Sequence, residues 1–171
     1  MAPLLETPRL ELRRLTEDDA PFILELLNEP SFIRNIGDRG VRTIDEARGY
    51  IAQGPIASYA RFGFGLYLVE LTPPRTPIGI CGILKRDELP DPDIGFAFLP
   101  AHWSKGYARE AAEAVKAYAR DTLAQPRLLA IVSPSNDSSI RLLEKLGFAF
   151  TSLMRLTPEA EELKLYACAL R

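Results

Sequence analysis

The stretch Asp93 to Tyr118, DIGFAFLPAHWSKGYAREAAEAVKAY, decides the fold because it joins a strand to a helix through a short turn that contains glycine. Ile94, Phe96 and Phe98 alternate with smaller residues, which predicts a strand that ends before Pro100. The second half has helical periodicity, and its apolar face is formed by Tyr107, Ala111, Ala114, Val115 and Tyr118. We therefore expect a central βα unit.

The turn within this unit, SKGYA at 104–108, is a candidate anion site. The first backbone N–H groups of a helix have no partner inside the helix, and with the helix dipole they favour a phosphate. Gly106 lets a ligand approach the backbone closely, while Ser104 and Lys105 add a hydroxyl group and a positive charge. Taken alone, the turn is equally consistent with a plain βα connection.

Composition indicates an ordinary globular domain. The chain has 171 residues, 47% apolar and 26% charged, with a net charge of −2, so no general attraction to nucleic acid or to a membrane surface is expected. No bilayer-length apolar run and no signal-peptide core is present, which favours a cytoplasmic location. Cys81 and Cys168 lie in apolar runs without metal-ligand spacing, so we expect reduced core residues and no metal site.

The remaining periodicities predict one domain over residues 1–171, of class α/β (α+β). Its sheet is expected to be mixed, mostly antiparallel and seven-stranded, with about four helices in the order βααβββαβαββ. Thr16 and Thr43 are expected to cap helices, whereas 31–42 is read as a loop and 54–65 as an irregular link. Strands 94–98 and 128–132 should run parallel, and 148–155 should pair with 162–170.

A second informative stretch, SPSNDSSIRLLEKLGF at 133–148, reads as a capped helix. Asn136 is a good N-cap residue, and Gly147 occupies the position just after the helix where a left-handed conformation is common.

Three segments together resemble one known family. They are TPRLELRRLTEDDA at 7–20, PAHWSKGYA at 100–108 and NDSSIRLLEKLGF at 136–148. In this order and spacing, the chain resembles the GNAT superfamily of acyl-CoA-dependent N-acyltransferases over nearly its full length. The first and third segments resemble the branch named for ribosomal-protein N-terminal acetyltransferases.

The resemblance implies the GNAT fold, in which the central strand diverges from its parallel neighbour at a bulge. It implies that the pantetheine arm of acetyl-CoA lies in that gap, and that a primary amine attacks the thioester without an acyl-enzyme. The residues it assigns to the cofactor are Phe98, Leu99, Trp103, Ser104, Lys105, Gly106, Tyr107, Ala108, Arg109 and Asn136.

Two positions depart from the family pattern. Trp103 stands where the loop usually begins with Gln or Arg, and Leu143 stands where many members carry the tyrosine that protonates the thiolate. Ser139 is the best replacement acid, although a first-turn serine can equally bond the backbone. Asn136 has the same two readings, a helix cap or a cofactor contact.

The amine must be neutral to attack, so a general base is needed. Deprotonation near neutral pH costs about one pKa unit for an α-amine and about three, or roughly 4 kcal/mol, for a lysine. Asp93 is the first candidate because it begins the central strand on one face with Gly95 and Ala97. Weaker candidates are Asp91, Glu88 and His102; for all four acids and bases, surface charge is the alternative reading.

The acceptor site is expected between region 31–62 and the strand pair after Gly147. Acidic stretches at 87–93 and 159–162 either attract a cationic acceptor or form solvated turns. Candidate wall residues, for which core or surface roles stay open, are Phe32, Arg34, Tyr59, Phe62 and Phe64.

These observations predict an acetyl-CoA-dependent N-acetyltransferase acting on a primary amine, with a protein N-terminus favoured. Alternatives are a small-molecule acceptor, such as an amino acid, a polyamine or an aminoglycoside, and a non-catalytic acyl-CoA-binding module. A Cys81–His102 hydrolase is disfavoured because no acid is positioned to orient the histidine. The expected partners are acetyl-CoA and the amine, without nucleic acid or membrane, and a homodimer is left open.

Overall fold

The computed structural model describes residues 2–171 as one mixed sheet with helices on both faces. The eight strands lie in the order β1-β2-β3-β4-β5-β6-β8-β7. They are β1 Leu5–Glu6, β2 Leu10–Arg14, β3 Leu66–Leu71, β4 Thr76–Leu84, β5 Asp93–Phe98, β6 Arg127–Val132, β7 Ala149–Met154 and β8 Leu163–Ala169. The α-helices are α1 Ala20–Leu27, α2 Pro30–Asn35, α3 Ile44–Ile51, α4 Ala57–Phe62, α5 Tyr107–Asp121 and α6 Asp137–Lys145.

Strand pairing confirms the predicted fold class and topology. Neighbours from β1 to β5 are antiparallel, β5 and β6 are parallel, and β8 pairs antiparallel with both β6 and β7. The predicted strand number was wrong by one. β1 has only two residues, too few to show alternation, and it forms because Leu5 pairs with Leu12 of β2.

Two segments predicted to be irregular are helical. The prediction of a loop at 31–42 was wrong for residues 31–35, which belong to α2; Pro30 occupies the first turn of that helix, where its missing N–H costs nothing. The expected link at 54–65 is instead the π-helical segment Ala52–Ile56 followed by α4. Pro55 lies inside that wider turn, so the chain continues from α3 without the break that Gly54 and Pro55 suggest.

Two hydrophobic clusters fill the two faces of the sheet. One joins the sheet to α5 and includes Tyr67, Ile83 and Val115, and the other joins it to α1 and α3. Cys81 and Cys168 are buried and unbridged, as predicted, and burial raises the pKa of the Cys81 thiol. No helix within residues 2–171 is long and apolar enough to cross a membrane.

Glycine allows β4 to lie close to its neighbours on both sides. A Cβ atom on Gly79 would stand 2.5 Å from the carbonyl oxygen of Ala97 in β5, and one on Gly82 would overlap the carbonyl oxygen of Gly65. These contacts are with backbone, which cannot move aside without breaking strand pairing. β5 is therefore held firmly against β4.

We predict that Gly82→Ala lowers the free energy of unfolding by about 1–3 kcal/mol, because the added methyl group forces β3 and β4 apart. Urea denaturation measures the loss. Gly49→Ala is the matched control: Gly49 lies in α3, nothing surrounds its Cβ position within 4 Å, and alanine there should add about 0.5–1 kcal/mol. Equal stability of the Gly82 variant and the wild type would contradict the close approach.

Candidate active site

The strands β5 and β6 diverge almost from their first residues. Within residues 2–171 their ladder joins a single pair, Asp93 with Leu129, and the Leu129 N–H donates to the Pro92 carbonyl at 2.9 Å. Beyond that point β5 stays with β4, and β6 stays with β8 as far as Val132. The predicted divergence is confirmed. The register of β5 on β4 is continuous, so the expected bulge does not lie in that ladder.

The diverging edges present backbone groups to the gap. The Leu99 N–H donates to the Ile78 carbonyl of β4 at 2.9 Å. In a strand, the backbone N–H and C=O groups of successive residues point to opposite sides, so those of Phe96 and Phe98 point away from β4 and into the gap. The Trp103 indole N–H donates to the Phe98 carbonyl at 2.8 Å from that side. The gap can thus pair an extended ligand in the manner of an added strand.

A cleft of about 510 Å³ runs through this gap from one face of the sheet to the other. At one end it meets the turn before α5, and at the other it meets α1, α2 and α3. Its lining includes the following predicted site residues: Phe32, Asp93, Phe98, His102, Trp103, Ser104, Gly106, Tyr107, Ala108, Arg109, Asn136 and Ser139.

The turn before α5 directs backbone N–H groups out of the helix. Ser104 and Gly106 have left-handed φ angles of 63° and 82°, which turn successive N–H groups inward. No side chain caps α5 at Gly106, whereas Thr16, Thr43 and Asn136 each cap another helix. The first helical bond runs from the Glu110 N–H to the Gly106 carbonyl, which leaves the preceding N–H groups directed out of the helix.

Arg9, from the first resembling segment, holds this turn from behind. Its guanidinium donates to the Lys105 carbonyl at 2.9 Å and to the Glu110 carboxylate at 2.7 Å, and it lies 4.5 Å from the centre of the Tyr107 ring. The Arg9 backbone N–H and the Thr7 hydroxyl group also donate to Glu110. Two segments that resemble the family separately are therefore in direct contact.

We predict that Arg9→Ala lowers the free energy of unfolding by about 1 kcal/mol, because it removes two charge-assisted hydrogen bonds and one ring contact. The Arg9 side chain is 46% exposed, so solvent screening limits the loss. Arg75→Ala, which breaks a single surface pair with Glu11 at a similar exposure of 49%, should cost clearly less in the same urea titration. Equal losses would show that Arg9 does not anchor the turn.

Asp93 lies where the two strands part and is almost fully buried, with 1% of its surface exposed. The Arg86 Nε donates to both carboxylate oxygens, at 3.1 and 3.2 Å. Burial raises the pKa of Asp93 to about 6, and the Arg86 guanidinium opposes that rise. A carboxylate that titrates near neutral pH inside a cleft has the property required of a general base.

The start of α6 forms one wall of the gap. The Asn136 side-chain oxygen accepts a hydrogen bond from the Ser139 N–H at 3.3 Å, which confirms Asn136 as the helix cap. Ser139 itself lines the cleft beside Leu143, a buried residue at the position where many family members carry tyrosine.

Several predicted residues lie outside the cleft lining. Tyr59 stacks on Tyr67 at 5.6 Å, and its hydroxyl group bonds the backbone of Leu15 and Leu66, so it and the buried Phe64 belong to the core rather than to an acceptor wall. Asp91 forms a surface ion pair with Arg127 at 2.6 Å. The others placed outside the lining are Arg34, Phe62, Glu88, Leu99 and Lys105.

Sequence reasoning missed one group of cleft residues at the end nearest α1, α2 and α3. They come from the two ends of α2, the segment between α2 and α3, the last turn of α3 and the β4–β5 turn, where no periodic pattern marks them. We call this group the acceptor end, and its members besides Phe32 are Glu29, Asn35, Arg39, Tyr50 and Arg86.

Comparison with known proteins defines the class to which this fold and cleft belong. Residues 9–149 match the family model described as acetyltransferase (GNAT) domain. The chain is also 31% identical over 156 residues to the uncharacterized N-acetyltransferase YoaA of Bacillus subtilis (strain 168), covering 91% of this chain and 88% of that one. This chain belongs to the GNAT acetyltransferase family, and it is an acetyl-CoA-dependent acetyltransferase.

Solved structures agree on the fold. An acetyltransferase from Agrobacterium tumefaciens str. C58 superimposes with a TM-score of 0.78 at 29% identity, covering 98% of this chain and 94% of that one. RimL, a ribosomal L7/L12 α-N-protein acetyltransferase in complex with CoA, superimposes with a TM-score of 0.80 at 18% identity, covering 98% of each chain. A Vibrio cholerae spermidine N-acetyltransferase in complex with CoA and spermine superimposes with a TM-score of 0.79 at 18% identity, covering 96% of this chain and 97% of that one.

Proposed function

We propose that this acetyltransferase transfers the acetyl group of acetyl-CoA to the α-amine of a protein N-terminus. The observation that carries the proposal is the buried Asp93 at the point where β5 and β6 part, with a pKa of about 6. Such a base can take a proton from an α-amine of pKa 7.7–8.0, but it is poorly matched to a lysine-type amine of pKa 10.4. The fold likeness to an α-N-protein acetyltransferase is compatible with this acceptor.

The proposed cofactor contacts follow the cleft. The N–H groups around Gly106 and at the start of α5 receive the pyrophosphate, with the Lys105 and Arg109 charges nearby. The pantetheine arm lies in the gap along the Phe98 edge of β5 and the start of α6 at Asn136. The proposal does not include backbone pairing between Leu99 and the pantetheine arm, because the Leu99 N–H already donates to the Ile78 carbonyl of β4.

The proposed chemistry uses two residues in the gap. Acetyl-CoA supplies the activated carbonyl carbon; the amine nitrogen bonds to it, and the carbon–sulfur bond breaks with its electron pair on sulfur. Asp93 accepts the proton that the ammonium must lose, directly or through a water molecule. The Ser139 hydroxyl group, which lines the gap opposite, donates a hydrogen bond to the departing sulfur, and the second amine proton ends on the thiol.

We expect acetyl-CoA and CoA to stabilise the protein in a thermal unfolding experiment and ATP to leave it unchanged. A ligand at 100 times its dissociation constant adds about 2.7 kcal/mol. Gly106→Ala should remove most of this shift, because a side chain strains the left-handed turn and its Cβ atom would stand 3.2 Å from the Arg9 guanidinium that holds the turn. Gly54→Ala, whose Cβ position has no neighbour within 4 Å, should keep it.

The same protein is then assayed for thiol release with acetyl-CoA and a panel of peptide α-amines, amino acids and polyamines. Release with peptides is the expected result. A CoA-dependent thermal shift without thiol release from any amine would instead identify a non-catalytic acyl-CoA-binding module, and the proposal would be wrong.

The pH dependence of kcat/KM tests Asp93. Between about pH 6 and pH 8 kcat/KM should stay nearly constant, because ionised Asp93 takes the proton from the bound ammonium group. Below about pH 6 the logarithm of kcat/KM should fall by about one unit per pH unit, because Asp93 is protonated. Asp93→Asn should lower the rate by about 10²–10⁴-fold, and its logarithm should fall by about one unit per pH unit from about pH 8 downward, because this variant must bind the neutral amine.

Asp91→Asn is the matched control for this profile, because Asp91 lies on the surface outside the cleft. The Asp91→Asn variant should show the same dependence of kcat/KM on pH as the wild type. If Asp93→Asn and the wild type shared one profile, Asp93 would be a buried structural acid and the base would lie elsewhere.

A further inference from the structure

We propose that the acceptor end of the cleft binds a carboxylate of the acceptor, in addition to receiving its amine. This inference rests on the proposed function, because it concerns the second substrate of the same site. Three side chains with hydrogen-bond donors line this end: two cationic guanidinium groups, Arg39 and Arg86, and one hydroxyl group, Tyr50. A carboxylate is the ligand that such donors recognise best.

Arg86 has donor capacity left for a ligand. A guanidinium carries five N–H donors in a planar fork, and the hydrogen bonds that Arg86 forms within residues 2–171 use Nε alone, toward Asp93. Its side chain is 28% exposed, so the outer nitrogen atoms reach the cleft. Arg86 therefore can hold Asp93 with one edge and an acceptor carboxylate with the other.

Arg39 lines the cleft and has no ion-pair partner in the part of the chain that the structure describes. Among residues 2–171, the arginines at 9, 13, 42, 48, 75, 86, 109, 120 and 127 each form an ion pair with an acid, and seven form none. Of those seven, Arg39, in the segment between α2 and α3, is the one in the cleft lining.

Tyr50 lines the same end of the cleft as the two arginines. Burial raises the pKa of its hydroxyl group, while Arg39 and Arg86 both act to lower it. Of the three side chains, Arg86 contacts Asp93 directly, so this end of the cleft adjoins the proposed base.

The acids at this end define what the acceptor must look like. Asp93 is already paired with Arg86, which leaves Glu29 as the other acid in the lining. An acceptor with both an amine and a carboxylate can satisfy both charge types. A polyamine carries only positive charge and would face two guanidinium groups at close range. The acceptor class is therefore an amine with a nearby carboxylate.

Such a carboxylate has two sources: an acidic side chain within the first residues of a peptide, or the α-carboxylate of a free amino acid. The experiment measures kcat/KM for matched peptides that start with serine and carry Glu or Gln at the second position, both with amidated C-termini. Free serine and glutamate form a second arm, and spermidine forms a third.

We expect the Glu peptide to exceed the Gln peptide by about 10- to 100-fold, as for hydrogen bonds to a charged group. Arg39→Gln should reduce this ratio severalfold, because it removes one of the two guanidinium groups at this end, and Tyr50→Phe should reduce it less. Arg34→Gln is the matched control, because Arg34 is an exposed arginine of α2 that lies outside the cleft lining, and it should keep the full ratio. A preference for free amino acids over both peptides would assign the carboxylate to that source.

Equal kcat/KM for the two peptides would overturn the inference while leaving the proposed function intact, whereas a higher value for spermidine would overturn both. Calorimetric binding of both peptides to the CoA-saturated protein gives a readout that does not need turnover. Equal affinities in that experiment would also overturn the inference, whereas tighter binding of the Glu peptide without thiol release would support it and contradict the proposed function.

Discussion

The parting of β5 and β6 is the constraint on which the rest of the structure depends. Backbone N–H and C=O groups need partners, and a continuous sheet would supply them. Here β5 is held to β4 by the close approach at Gly79, and β6 is held to β8, so both stay in place while the space between them opens. The gap joins the two faces of the sheet, and each face supplies one end of the cleft.

The charges are distributed to suit the two ends. At one end the N–H groups of the turn before α5 carry partial positive charge without a side-chain cap, and Arg9 fixes their orientation from outside the cleft. At the centre, Asp93 is buried deeply enough for its pKa to reach about 6, yet Arg86 keeps its ionised form accessible. Because the Arg86 guanidinium also lines the acceptor end, it links Asp93 to that end of the cleft.

Local sequence patterns predicted the elements and the turn before α5 because their determinants lie within a few residues. Alternation set β5, the Asn136 cap set the start of α6, and Gly106 marked the turn, where the structure shows a left-handed φ angle. Near Pro30 and Pro55 the same patterns were misleading, whereas the Thr43 cap between them was predicted correctly. Proline occurs in the first turn of helices and in wide helical turns, but also just after helix ends. The local sequence around Pro30 and Pro55 is therefore ambiguous, and only packing against the sheet selects between these outcomes.

By itself, the sequence determined the family, the α/β class and the position of the turn before α5, since each is encoded in short contiguous segments. Only the tertiary structure decided which side chains meet in the cleft. It placed Tyr59 in the core, brought Arg9 to a turn 96 residues away, paired Arg86 with Asp93, and brought Arg39 and Tyr50 to the same cleft. Those contacts depend on strand register and on the paths of loops, which arise from packing of distant segments and leave no periodic signal in the chain.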